Sequence, residues 1–403
     1  MTIKKIKNNH LCLGCGLCAS VLGHDKCKMV LSKDGFYYPN LEAGFDDSVI
    51  EKLCPGIKIH SNIHDEFWGK YLEISEGWAT DREIRFHASS GGVVSSLAIY
   101  LIQEHIVDSI LQVGVSSDDY RYNILKVSSN KEEVLNNAQS RYAPALSLYT
   151  VKQILDDSKS SYAFVGKACD IAGMKNFIET FPEYKDRIKI FISIICAGMP
   201  SLRGTEEAIK LSGQTKEPST LKYRGDGWPG LFKAKWEDGT EFSLTYNDSW
   251  GKILGKYLNF RCKICADGIG SMADISVGDS WRTKDGYPDF EESNGRSLIF
   301  IRTSKGSEYF QNAVKKGLIE SCLIEDVEEL KKMQPGQYSR RKYAGWRIFP
   351  VQVMTFGMLD FKGLGIYRQT LKSGFKKGFN NMRGTLKRFI KLRKEGYGFK
   401  GTF

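Results

Sequence analysis

No stretch of this 403-residue chain is apolar for long enough to span a bilayer, and the opening Met1-Thr2-Ile3-Lys4-Lys5-Ile6-Lys7 lacks the apolar core of a secretory signal. A cytoplasmic protein is therefore expected. Internal repeats and low-complexity segments are also missing, which excludes solenoid and fibrous architectures. The body carries no excess of either charge. The formal charge is +11, but residues 361–403 hold 12 Lys and Arg against the single acid Glu395, leaving 46 of each sign in residues 1–360. A neutral body offers no extended basic groove, so nucleic acid is not an expected partner.

Ten cysteines remain to be explained. Without a signal they are expected in a reducing compartment, and their clustered spacing points to metal ligation rather than disulfides. Cys12-Leu13-Gly14-Cys15-Gly16-Leu17-Cys18 puts three sulfurs on one tight loop, with two glycines free to take the backbone angles that wrapping a cubane requires. Thiolates also bind zinc, but closed zinc sites usually draw cysteines from separated pairs, so the third cysteine favours iron. The bacterial ferredoxin run supplies a Cys-Pro soon after its third cysteine; here Ala19-Ser20-Val21 follows Cys18. The next Cys-Pro is Cys54-Pro55. Cys54 is the expected fourth ligand, with Cys27 as its rival.

Periodicity predicts a strand over 73–80, a loop Ser89-Ser90-Gly91-Gly92 and a helix over 93–103. A helix N-terminus behind two glycines suits a phosphate, and an ordinary Ser N-cap explains the same residues. The strands 162–165 and 188–195 each deliver a cysteine at their carboxyl ends, Cys169 and Cys196, where open α/β sheets place ligands. Short strands follow at 221–224, 231–236 and 241–245, with an Asp238-Gly239 turn. Cys262 and Cys265 then complete a second set of four. On spacing alone that set holds a 4Fe-4S cluster or zinc, and the first cluster tilts the choice to iron because a lone cluster needs an electron partner. Arg141 and Lys167 suit a pyrophosphate as cations.

In their order along the chain these motifs resemble the coenzyme F420 hydrogenase/dehydrogenase beta-subunit family, to which 7-hydroxymethyl chlorophyll a reductase is related. The resemblance spans residues 8–345 and rests on the Cys12/Cys15/Cys18 run with Cys54-Pro55-Gly56, Ser90-Gly91-Gly92, Ser140-Arg141-Tyr142 and Cys169. It continues through Cys196 to Ser201, Tyr223 to Trp228, Cys262 to Trp281 and Gly295-Arg296-Ser297. It implies an iron–sulfur flavoprotein oxidoreductase. Electrons from reduced ferredoxin or another donor would pass through one or two 4Fe-4S clusters to FAD and an organic substrate. Ser89, Ser90, Gly91 and Gly92 would cradle the FAD phosphates, with Ser140, Arg141 and Lys167 nearby and Asp279 and Arg296 as pocket residues or structural ion pairs. Nothing identifies a site for F420 itself.

The expected organisation is an α/β protein of mixed elements. Residues 1–60 form a ferredoxin-like module, 71–215 an α/β domain with the phosphate loop, 216–345 a β-rich domain with the second cysteine motif, and 361–403 a basic amphipathic helix broken near Gly378 or Gly384. That helix lies on an anionic membrane, or packs on the body or a neighbouring subunit; a homo-oligomer stays open. Membrane contact would suit a lipid-linked substrate in surface polysaccharide biosynthesis. Two other readings compete: an electron-transfer subunit of a hydrogenase or dehydrogenase complex, and a zinc-stabilised binding protein.

Overall fold

The computed structural model describes residues 2–61, 67–117 and 119–395. Residues 62–66, half of the polar linker that composition predicts over 61–70, and the end of the basic tail from 396 onward lie outside them.

Strand alternation builds the centre. Tyr162 and Phe164 enter one apolar cluster, and Ala163 and Val165 between them enter another, as in a strand buried on both faces. This strand is one of nine in a single sheet: β1 (Glu73–Ala79), β2 (Ser109–Val115), β3 (Asn123–Ser128), β4 (Ala145–Leu146), β5 (Tyr162–Lys167), β6 (Ile188–Ile194), β7 (Ile275–Asp279), β8 (Ser297–Ile301) and β9 (Ile319–Leu323). Their order is β9-β1-β8-β7-β6-β5-β2-β3-β4. β2, β5, β6 and β7 run parallel, and antiparallel pairings flank them on both sides. The α/β class holds, with the strands after residue 216 entering the same sheet as those before it. Four parallel strands side by side aim their carboxyl ends at one edge, where such sheets bind ligands.

Helices α1 (Leu17–Leu22), α2 (Val93–Gln103), α3 (Ala168–Thr180), α4 (Phe260–Lys263), α5 (Ser304–Lys315), α6 (Pro335–Lys342), α7 (Ala344–Met354), α8 (Ile366–Leu371) and α9 (Phe375–Glu395) surround it. Leu97 of α2 and Phe310 of α5 pack on one face. On the other, Phe177 of α3 shares a cluster with Leu11 and Leu17 from the N-terminal module and with Val351 and Phe389 from α7 and α9. Each such fully buried side chain contributes ~1.5–3 kcal/mol, so both ends of the described chain are built into the core. Three short strands, Thr220–Lys222, Phe232–Lys235 and Glu241–Leu244, form a separate antiparallel sheet, the last two joined by the expected Asp238-Gly239 turn.

The tail breaks earlier than expected, over Lys372-Ser373-Gly374, and α9 then runs through both Gly378 and Gly384. Packing explains it. A Cβ on Gly378 would lie 2.3 Å from the Trp346 indole, so this glycine lets α9 close on α7 rather than breaking the helix. The Trp346 indole N–H donates to Ser373 Oγ at 2.9 Å and ties down the turn. Further along, Phe389 is fully buried and stacks on Phe260 with centroids 5.4 Å apart. A strap completes the connection: Asp360–Lys362 pairs parallel with Lys58–His60, and His60 Nε2 lies 2.7 Å from Asp360 Oδ2.

Candidate cofactor site

The eight cysteines singled out by spacing gather into two quartets. Cys12, Cys15, Cys18 and Cys54 line a cavity of about 460 Å³ between the cysteine loop and the Cys54-Pro55-Gly56 turn. Cys169, Cys196, Cys262 and Cys265 line a second, of about 570 Å³, at the carboxyl ends of β5 and β6. Among the described residues no three His, Cys, Asp or Glu side chains converge on a point that one ion could fill; the thiols surround volumes. Cys27, the rival fourth residue, is fully buried and sits beside Cys18, outside the cavity lining.

The cysteines of both quartets are half-buried, and each quartet has an amide donor. The Gly14 N–H points at Cys12 Sγ at 3.4 Å and the Gly198 N–H at Cys196 Sγ at 3.3 Å, and each glycine takes a positive φ, 68° and 120°, that turns its amide toward the sulfur. Burial, with Cys54 adding to it, pushes the Cys12 thiol up to about 12. Burial likewise raises Cys262 to about 11, helped by Cys196 and Cys265. Thiols raised in this way give up their protons where a cation stabilises the thiolate, so any metal binding here would be coupled to deprotonation. Arg261 locks the quartets together: it is 2% exposed, and its Nε donates to Gly56 O at 2.6 Å while its own chain leads into Cys262.

A third cavity, of about 1580 Å³, opens at the same sheet edge. Of the residues expected there, Ser89, Ser90, Gly92, Ser140, Arg141, Lys167 and Asp279 line it, and Gly91 and Arg296 do not. Gly91 donates its N–H to Oγ of Ser297, itself a lining residue, at 3.0 Å. Arg296 pairs with Glu76, and Asp279 is held by Arg224 at 2.9 Å and by the Trp228 indole at 2.8 Å. His87 faces Asp226 at 2.7 Å, away from the lining.

Two features fit this cavity to a dinucleotide. Gly92 (φ 80°) starts α2 without a side-chain cap, and Val93, Val94 and Ser95 of its first turn line the cavity, so the free N–H groups of a helix start meet it. Arg141 has a fully buried Nε with no hydrogen-bond partner, and burial lowers its affinity for its proton. An orphaned buried guanidinium N–H calls for an acceptor. Lys167 is different: its Nζ lies 2.6 Å from the buried Asp170, between the second and third cavities, both of which it lines.

Sequence reasoning missed much of the remaining wall. Tyr246 and Trp281 line it, with Arg224 stacked 4.8 Å over the Tyr246 ring, and Gln334 and Gln337 close it from α6 and the residue before it. Gln334 Nε2 donates to Asp279 O at 2.7 Å and Gln337 Nε2 to Cys196 O at 2.9 Å. Nothing in the local sequence marks the two glutamines, since contacts across 55 and 141 positions bring them in.

Fold and site define an α/β protein with two thiol quartets beside one large cleft. Residues 74–152 match the model for the N-terminal part, and residues 159–327 the model for the C-terminal part, of the coenzyme F420 hydrogenase/dehydrogenase beta subunit. The chain is 28% identical over 267 residues to the coenzyme F420 hydrogenase subunit beta of Methanococcus voltae, covering 65% of this chain and 88% of that one. It is 27% identical over 306 residues to the coenzyme F420-dependent sulfite reductase of Methanocaldococcus jannaschii, covering 72% and 44%. In the solved F420-reducing [NiFe] hydrogenase complex from Methanosarcina barkeri, one chain has the same fold, with a TM-score of 0.55 at 21% identity over 71% of this chain and 96% of that one. The chain belongs to the coenzyme F420 hydrogenase/dehydrogenase beta-subunit family, whose named members are oxidoreductases or subunits of them.

Proposed function

We propose that this chain is an electron-transfer subunit carrying two 4Fe-4S clusters and FAD, linking a one-electron donor to a two-electron organic acceptor. The observation that carries it is the sharing of walls. Leu13 and Cys15 line both the first and the second cavity, and Ala145, Lys167, Asp170, Cys196, Gly198 and Met199 line both the second and the third. The three volumes form a row, with the second quartet in the middle.

Bound in these places, iron–sulfur clusters supply single-electron steps and a flavin supplies the change from one electron to two. The chain's own residues bind and isolate. The eight cysteines are the metal ligands, and the Gly14 and Gly198 amides steady the charge on two sulfurs. The α2 N-terminus, Ser89, Ser140 and Arg141 hold the phosphates. Lys167, paired with Asp170, keeps a positive charge beside both the second quartet and the cleft. Tyr246 and Trp281 offer an aromatic wall for a ring.

Anaerobic purification followed by iron, sulfide, zinc and flavin analysis tests this. About eight irons and one FAD per chain are expected; zinc without iron would overturn it. The subunit reading is favoured over an enzyme acting alone because the named relatives include subunits of larger oxidoreductases. Co-purification of a larger redox partner is expected, and efficient substrate reduction by the isolated chain would reverse the preference.

A second reading concerns the membrane. Among the described residues no helix is long and apolar enough to cross one. Phe356, Leu371 and Phe375 are nevertheless 97%, 87% and 72% exposed, with Lys372, Lys376 and Lys377 exposed between and beside them. Exposed aromatics rimmed by lysines suit the surface of an anionic bilayer. Sedimentation with phosphatidylglycerol vesicles should fall sharply in a Leu371→Ser/Phe375→Ser variant; unchanged sedimentation would remove this reading.

A further inference from the structure

Beside the second quartet, four cations converge with no carboxylate among them. Arg340 of α6 lines the quartet's cavity and donates to the carbonyls of Cys196, at 3.3 Å, and Ala197. Arg347 of α7 donates from Nε to Asn381 Oδ1 at 2.9 Å and from its second arm to Ser339 O at 3.3 Å, which spans it between α6 and α9. Arg388 lies two turns beyond Asn381 on the same face of α9. Lys263 ends α4 one residue past Cys262, with Nζ 3.4 Å from Gly255 O. The stacked rings of Phe260 and Phe389 bring the segments bearing Lys263 and Arg388 together.

Arg347 stands under the influence of its arginine neighbours. Burial, then Arg340 and Arg388, push the Arg347 guanidinium down to about 10. The hydrogen bonds that hold them end on neutral oxygens, and none of the four forms an ion pair among the described residues. Gathering like charges this way opposes folding through self-repulsion, and an acidic surface docked on the outside relieves it.

We propose that Lys263, Arg340, Arg347 and Arg388 form the docking face for a small acidic electron-transfer protein that exchanges electrons with the second quartet. This rests on the redox reading above and adds where the donor lands. One electron crosses per encounter, the partner's centre being oxidised as this chain is reduced, with no bond made or broken and no proton moved. Charge complementarity selects the occupant. A second copy of this chain would bring the same cations, and the exposed aromatics that suit a bilayer belong to the other end of α9, around Phe375.

The test uses the full chain and a small acidic bacterial ferredoxin. Arg388 is exposed, so Arg388→Glu leaves the core intact. Binding of oxidised ferredoxin by calorimetry, and stopped-flow reduction by reduced ferredoxin, should both weaken about tenfold or more at low ionic strength. The difference should shrink as salt rises toward about 0.5 M, where the Debye length is short. Lys376→Glu/Lys377→Glu, at the other end of α9, changes charge more and should change both measurements less. Equal effects from the two variants, or none from Arg388→Glu, would overturn the docking face. So would loss of vesicle sedimentation in Arg388→Glu with ferredoxin binding unchanged, which would place a bilayer there instead. Iron and flavin content and dithionite bleaching of the unaltered chain report on the redox reading separately, because binding of oxidised ferredoxin is read without them.

Discussion

Lys167 Nζ lies 2.6 Å from Asp170 Oδ2, and this ion pair stands where the second cysteine cavity meets the large cleft. Asp170 is 1% exposed and also accepts from Ser147 Oγ at 2.7 Å. Lys167→Met should leave a buried carboxylate half-satisfied and cost about 3–5 kcal/mol in urea unfolding. The double change with Asp170→Asn should recover most of that loss. A double variant as unstable as the single one would show that the pair matters for something other than charge.

The two cysteine assignments can be separated by iron content. Cys15→Ser should remove about half of the iron and abolish reduction by a protein donor while leaving FAD bound. Cys27→Ser should leave iron content unchanged, because Cys27 lies outside the first cavity. Iron lost from Cys27→Ser but retained in Cys54→Ser would exchange their roles.

Arg141 offers a cleaner test of the cleft than any paired residue. Its Nε has no hydrogen-bond partner among the described residues, so Arg141→Met should not lower the melting temperature. Titration of the flavin-free chain with FAD should show affinity reduced by about 1.5–3 kcal/mol, the worth of a hydrogen bond to a charged group. Unchanged affinity would mean that the phosphates lie elsewhere.

Two glycines on one helix should respond with opposite signs. Alanine is ordinarily the better helix residue by about 1 kcal/mol. Gly384→Ala should raise the melting temperature, since the nearest atom to its Cβ is a flexible Arg388 nitrogen at 3.8 Å. Gly378→Ala should lower it, because its Cβ would fall 2.3 Å from the Trp346 ring.

Acid should loosen the loop beside His87. Burial opposes ionisation of Asp226, but hydrogen bonds from His87 and Lys222 prevail and hold its carboxyl at about 2. A carboxyl depressed on folding stabilises above its unfolded value near 3.9 and loses that contribution as pH falls toward the folded one. Between about pH 4 and pH 2, Asp226→Asn should therefore lose less stability than the unaltered chain. Parallel losses would contradict the linkage.

Much of this arrangement was legible in the sequence because it is local. The Cys12/Cys15/Cys18 run, the helix behind Gly92 and the cysteines after β5 and β6 each follow from spacing or period within a few residues. The partners of Asp279 and Arg296 were not legible. Asp279 meets Arg224 across 55 positions, and Arg296 meets Glu76 across 220. Pairings at such distances depend on strand order, which periodicity does not encode. The break at Lys372-Ser373-Gly374 was hidden for a related reason: glycine weakens a helix on its own, but at Gly378 the space it leaves is filled by Trp346.

The strap between His60 and Asp360 sets a timetable. During synthesis the strand Lys58–His60 emerges early, yet the Asp360 that meets His60 lies 300 residues downstream. At about 5–20 residues per second, that interval lasts roughly 15–60 s. Throughout it Lys58–His60, just past the Cys54-Pro55-Gly56 turn, stands without the strand that pairs with it. The closing strand arrives after most of the chain, so this corner of the fold is tied down only late in the order in which the chain is made.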